Sequence, residues 1–171
     1  MLGYGKKRRL HIWGLVVKDL YDDVEELLKS LEADIEDTLM HEVLDEVKEI
    51  ELRHVEEDVL DIYTPKIYER RSIGEGGIDD PDNIVGTVEN MELEVENITP
   101  FASGYGTWNR GIGLTELIND GNSTSGYFYD YHGEFNQPRP FLDNTIEEIE
   151  RTDDVEDALA RGLNKRKWTV K

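Results

Sequence analysis

Cysteine is absent from this chain of 171 residues, which removes disulfides, thiolate metal ligands and cysteine nucleophiles together. Also missing is any apolar run near the roughly 20 residues that span a bilayer. The basic start Lys6-Lys7-Arg8-Arg9 is followed only by Leu10 to Val17 before Lys18 and Asp19 interrupt it, so neither a signal peptide nor a membrane anchor is expected. Positive charge is scarce, with 19 Lys and Arg against 39 Asp and Glu and a formal net charge of −20. Such a chain is a poor general nucleic-acid binder, because phosphate contacts need Lys and Arg facing the backbone. The length suits one domain, 1–171, with a real core, and is short for two.

The charge is unevenly spread. From Leu15 to Ile62 there are eighteen Asp and Glu against four Lys and Arg, a net −14. Basic residues collect at the ends, in an arm over residues 1–9 and in a tail where Arg161, Lys165, Arg166, Lys167 and Lys171 follow the last acid, Asp157. The tail is assigned to 164–171. Oppositely charged ends favour head-to-tail contacts between copies.

Periodicity divides the rest. Leu10, Ile12 and Leu15 alternate with other residues, predicting a short strand within Arg9 to Val16 that ends at Gly14. The spacing then turns helical: Val17, Leu20, Tyr21, Val24, Leu27, Leu28 and Leu31 recur at three and four, and the series continues through Ile35, Leu39, Val43, Val47 and Ile50 to Val59 and Ile62. One helix of that length would run about 70 Å, so a break near Ala33 to Asp37, giving two helices, is expected. Thr64-Pro65 ends the helical region. Residues 70–83, with three glycines and a proline, predict an exposed flexible loop. Ile84 to Val88 and Met91 to Val95 predict a hairpin turning at Glu89-Asn90, with Leu93 and Val95 on a buried face. Leu114 to Ile118 fits a helical turn or a short strand, Val155 to Leu163 a small helix, and Lys167 to Val170 a last strand.

The most constrained local chemistry is Gln137-Pro138-Arg139-Pro140-Phe141. Each proline fixes its φ, lacks an N–H and pushes its predecessor out of helical space, so the segment enters the next element as a short rod. In the amphipathic stretch that follows, Asn144 can act as N-cap and Glu147 can answer it in a capping box, with Phe141, Ile146 and Ile149 supplying an apolar face. Arg139, held between prolines, can reach a carboxylate bidentately, within the subunit or across to a neighbour. Phe141 fits a core or an interface. The fold class expected is α+β: two N-terminal amphipathic helices packed on an antiparallel sheet, with small C-terminal helices.

No residue set carries catalysis. His11, His41, His54 and His132 are scattered, and His41-Glu42 has no second histidine at zincin spacing. Asp79-Asp80-Pro81-Asp82-Asn83 offers oxygens but lacks EF-hand spacing and its closing glutamate, so it reads as a turn. Gly74-Glu75-Gly76-Gly77 does not open a helix after a strand, and Ser103 and Ser125 sit in no nucleophile elbow. No catalytic residue, cofactor or metal is expected. The aromatics Tyr105, Trp108, Tyr127, Tyr129 and Tyr131 either pack a sheet face or anchor a subunit contact, where Tyr and Trp are enriched. The acid-rich helices read as a solvated face, a lumen lining or a partner surface.

The order of these pieces resembles the tail-completion, or head-tail joining, family of tailed bacteriophages, proteins often labelled tail component or minor structural protein. The matching residues are Gly14 to Leu28, Tyr63-Thr64-Pro65 with Arg70-Arg71-Ser72, Leu117 to Gly121, and Gln137 to Phe141. The T-G-x-L-R-x-S pattern usual after the proline is degraded here, since Lys66-Ile67-Tyr68-Glu69 stand where it begins. The resemblance implies a non-enzymatic virion protein. It would form a homo-oligomeric ring, hexamer or dodecamer, at the neck, between connector or stopper proteins and tail-terminator or tail-tube proteins. DNA would pass through the lumen without specific binding. It makes Arg139, Phe141, Tyr105, Trp108 and Tyr129 candidates for subunit contacts. Glu42, Glu46, Glu49 and Glu56 are candidates for a lumen wall that repels phosphates. The competing expectation is an acidic binding module that mimics DNA and inhibits a DNA-binding protein.

Overall fold

The structure, a computed structural model, describes residues 11–12, 15–16, 20–62, 71, 74–100, 114–121 and 137–170. Two short strands, β1 (His11–Ile12) and β2 (Leu15–Val16), pair antiparallel with His11 opposite Val16 and Ile12 opposite Leu15. A single strand ending at Gly14 is therefore replaced by a small hairpin.

Helix α1 (Leu20–Thr38) leads into a π-helical turn (Leu39–Val43), helix α2 (Leu44–His54) and a second π-helical turn (Val55–Leu60). The joining residues Thr38, Val43, Leu44, His54 and Val55 all keep right-handed helical φ and ψ. The expected break near Ala33 to Asp37 does not occur, and the chain is one helical rod of about 60 Å at 1.5 Å per residue. Its physical reason lies in the side-chain spacing. Ile35, Leu39, Val43 and Val47 advance by four, as do Glu51, Val55 and Val59. Each such step overshoots a full α-helical turn by about 40°. A wider π turn absorbs the overshoot and keeps the stripe on one side.

Strands β3 (Ile84–Glu89) and β4 (Glu92–Asn97) form the second hairpin, in register from Ile84 opposite Asn97 to Glu89 opposite Glu92. The turn is Asn90-Met91, with φ of 53° and 63°, the paired positive values of a two-residue hairpin loop. Met91 thus belongs to the turn and not to the strand. Leu93 and Val95 are half-buried while Glu92, Glu94 and Glu96 face solvent. The hairpin lies on the rod, where Gly86 comes so close to Leu44 that a Cβ would stand 2.9 Å from both of its methyls.

Residues 74–83 depart from the exposed loop expected there. Gly77, Ile78 and Asp80 are buried, and the Asp80 carboxylate accepts from the N–H groups of Gly74 (2.8 Å), Gly76 (3.3 Å) and Asp82 (3.1 Å). Asp80 also caps a single 3₁₀ turn, Pro81–Asn83, as the turn chemistry of that run predicts.

Helices α3 (Leu114–Asp120), α4 (Phe141–Arg151) and α5 (Asp154–Lys165) complete the described fold. Val55, Val59, Ile78 and Phe141 form a core, with Leu60, Ile118 and Leu142 packed against it. Helix α5 crosses the rod at Gly162, where an added Cβ would lie 2.3 Å from Thr38 Cγ2. No strand follows. Lys167 takes φ 72°, its N–H donates to Asn164 O, and the Trp168 N–H donates to Leu163 O at 3.0 Å. This is the bond pattern of a Schellman cap, which turns the chain back instead of extending it. The fold is mixed α+β: a long N-terminal helix, a two-strand antiparallel hairpin and C-terminal helices packed together.

Candidate functional site

The proline lead-in is fastened from outside its own helix. Pro138 and Pro140 have no N–H, so Arg139 supplies the donor between them, and it reaches the carbonyls of Ile118 (3.0 Å) and Asn119 (3.2 Å) at the end of α3. Asn119 Oδ1 in turn accepts from the Leu142 N–H at 3.0 Å, while its Nδ2 donates to Asp120 and Asp143. Helix α4 therefore starts at Phe141, four residues earlier than a cap at Asn144 requires, and neither that cap nor its answer from Glu147 exists. Asn144 lies inside the helix and donates to Asp58 Oδ2 at 2.8 Å. Phe141 is completely buried in this chain's own core, which leaves none of its ring for a neighbour.

A polar clamp joins the same helix to the rod. His54 Nδ1 faces Asp58 Oδ2 at 3.2 Å and Nε2 faces Glu148 Oε2 at 2.9 Å, while Arg53 donates to the other Glu148 oxygen. A cleft of about 160 Å³ beside it is lined by His54, Asn144, Glu147, Glu148 and Arg151. With both ring nitrogens engaged by carboxylates, His54 has no nitrogen left for a substrate. Among the described residues no His, Asp and Glu converge to hold a metal. The cluster fits a structural joint.

Below it sits a buried carboxyl. Glu51 is 4% exposed, and burial pushes its pKa up against a 2.7 Å hydrogen bond from Asn97 Nδ2. Asn97 Oδ1 accepts from the Thr99 N–H and hydroxyl, and its carbonyl accepts from Thr115 Oγ1. Rod, hairpin and α3 meet there. The sequence held a signal for Glu51, an acid on the apolar four-step series between Val47 and Val55.

The acids of the rod divide into two sets. Glu42 pairs with Lys165 (3.3 Å) and Arg166 (3.0 Å), Asp37 pairs with Arg166, and Glu46 pairs with Arg161. Partial burial pushes the Glu42 pKa up, but its backbone bond and the two cations outweigh this and hold it low. The hydrogen bond from Arg166 holds Asp37 low as well. Trp168 Nε1 donates to Asp34 Oδ2 at 2.7 Å. Of the basic tail, Arg161, Lys165 and Arg166 are thus paired within the chain, because the α5 crossing lays them along the acids of the rod; Lys167 is exposed and in none of these pairs, and Lys171 lies outside the described residues. Glu49 and Glu56 are exposed and belong to no ion pair among the described residues. Of the other candidates, Tyr105, Trp108 and Tyr129 lie outside the described residues, as do Tyr127, Tyr131 and the basic arm 1–9.

Among the described residues no helix is long and apolar enough to cross a membrane. No curated protein and no solved structure matches the chain. A family model described as YomN matches residues 23–165, from the first turns of α1 to the last residue of α5. The chain belongs to that family.

Proposed function

We propose that this YomN-family chain is a non-enzymatic structural protein of a tailed-phage virion, assembled in the host cytoplasm as one subunit of a ring at the head-tail junction. The carrying observation is the division of the rod's acids. Arg161 and Lys165 of α5 and Arg166 just after it are engaged by Asp37, Glu42 and Glu46, while Asp45, Glu49 and Glu56 stand exposed. Asp45 and Glu49, four residues apart, share one helix face. A wall of such faces repels phosphates and lets DNA slide past, the opposite of a binding groove. The order of motifs from Gly14 to Phe141 supports the same reading. In it the helical rod and the hairpin laid across it form the wall element, with connector or stopper proteins on one side and tail proteins on the other.

Electron microscopy of the purified protein tests the assembly, with rings expected; a monodisperse monomer under all conditions sinks it. Glu49→Lys with Glu56→Lys tests the lumen. Assembly should persist while genome ejection falls, and full infectivity removes the lumen assignment. Glu42 and Glu46 are unsuited to that test, since reversing them breaks the docking of α5.

The same exposed acids favour a second reading, a phosphate-mimicking inhibitor. It predicts a monomer or dimer that competes with DNA for a DNA-binding protein, and a ring without such competition excludes it.

A further inference from the structure

Val24, Leu27 and Leu28 are 46%, 54% and 52% exposed, and with half-buried Leu31 they sit at i, i+3, i+4 and i+7 of α1. That spacing is the one an amphipathic helix uses to bury a face, yet no described residue covers these three. Single exposed leucines are ordinary, whereas a stripe of them on one helix marks a contact surface.

Charge limits what can cover it. Glu25, Glu26 and Glu32 around the stripe are exposed, and Lys29 is already paired with Glu25 at 2.7 Å. The same face of another copy would bring like charges together. The C-terminal cations Arg161, Lys165 and Arg166 are held by acids of their own chain. The other basic cluster of the sequence, Lys6-Lys7-Arg8-Arg9, runs into the apolar residues Leu10, Ile12 and Trp13. That composition matches an apolar stripe with an acidic rim.

We propose that the α1 stripe of one copy docks the basic and apolar 6–13 segment of a second copy. No described residue covers the stripe, and the charge match assigns its cover to this segment of a neighbour. Because the two surfaces differ, the contact is head-to-tail and propagates around a ring when the rotation closes. The inference rests on the ring reading and supplies its subunit contact.

Two full-length variants test it by sedimentation velocity over a concentration series, with circular dichroism as a check on folding. One carries Leu27→Glu and Leu28→Glu; the other carries Lys6→Glu, Lys7→Glu, Arg8→Glu and Arg9→Glu. Each should weaken self-association by about 30-fold or more, as loss of central interface residues does. An equimolar mixture should recover a discrete one-to-one dimer, since each variant retains the surface its partner lacks. Association equal to wild type in either variant overturns the proposal and leaves a ring built on another contact. A mixture that stays monomeric also overturns it. A wild-type chain that is monomeric throughout removes the ring reading as well.

Discussion

Asn119 Oδ1 accepts a 3.0 Å hydrogen bond from the Leu142 N–H, so the first turn of α4 is capped by a side chain of α3, twenty-three residues earlier in the chain. A helix start leaves four N–H groups without internal partners, and the Pro140 position ahead of Phe141 makes no side-chain cap. Asn119 fills that role at a distance. The carbonyls of Ile118 and Asn119 hold Arg139 as well, which makes one residue pair responsible for both the aim of the lead-in and the start of the helix.

Asn119→Ala should therefore cost about 1–2 kcal/mol, the usual loss for a helix cap. Urea denaturation of both proteins gives the difference. An unchanged midpoint would mean that water replaces the side chain at no cost.

Gly162→Ala should destabilise by about 1–3 kcal/mol, the range for overpacking a filled contact. The added Cβ would meet Thr38 Cγ2 at 2.3 Å, and Thr38 is completely buried. Thr38→Ser removes that methyl and keeps a hydroxyl for the Asp34 carbonyl, which Thr38 Oγ1 reaches at 2.6 Å. The double variant should recover part of the loss, a coupling that a thermodynamic cycle measures.

Glu51 gives the pH dependence a definite sign. Burial raises its pKa above the ordinary value of 4.5, so the folded state binds this proton more tightly than the unfolded one. Its stabilising contribution is complete below that ordinary value and is lost as pH rises through the raised folded value. Glu51→Gln keeps an acceptor for Asn97 and removes the titration. Its stability relative to wild type should grow with rising pH, measured by denaturation at several pH values; a constant difference would place the ionised carboxylate in a solvated setting.

Asp37 and Glu42 behave oppositely. Their folded pKa values are held low, so their contribution is present above the unfolded values and disappears as pH falls through the folded ones. Acidification should loosen α5 before the core around Val55 and Phe141. Amide exchange, corrected for intrinsic rate, should show α5 losing protection first. In Arg166→Gln that protection should be lower at neutral pH and fall less on acidification.

The legible parts of this fold were those written in local spacing. The three-and-four recurrence from Leu20 onward gives the rod, and the alternation of Leu93 and Val95 with glutamates gives the hairpin, while the expected stop at Thr64-Pro65 lies outside the described residues. The four-residue steps at Ile35, Leu39, Val43 and Val47 also held the π turns, which a preference for average helix lengths turned into a break. What stayed hidden depends on partners distant in sequence. A cap from Asn119 cannot be told from local chemistry that offers Asn144 and Glu147 in the right places. Nor can the pairing of Arg166 with Asp37 and Glu42 be seen without the crossing at Gly162. Composition made residues 70–83 look exposed, because it carries no sign that Asp80 gathers three N–H groups around itself.

Among the described residues the rod outruns its support. Its last side-chain hold is the hydrogen bond from Trp168 to Asp34, and every described side chain from Val24 to Ser30 stands in solvent. Val24 lies ten residues from that hold, about 15 Å along the axis. The helix is therefore a lever that pivots where α5 and Trp168 hold it. A push on the far end reaches α5 as torque, and a neighbour that grips the end steadies both helices at once.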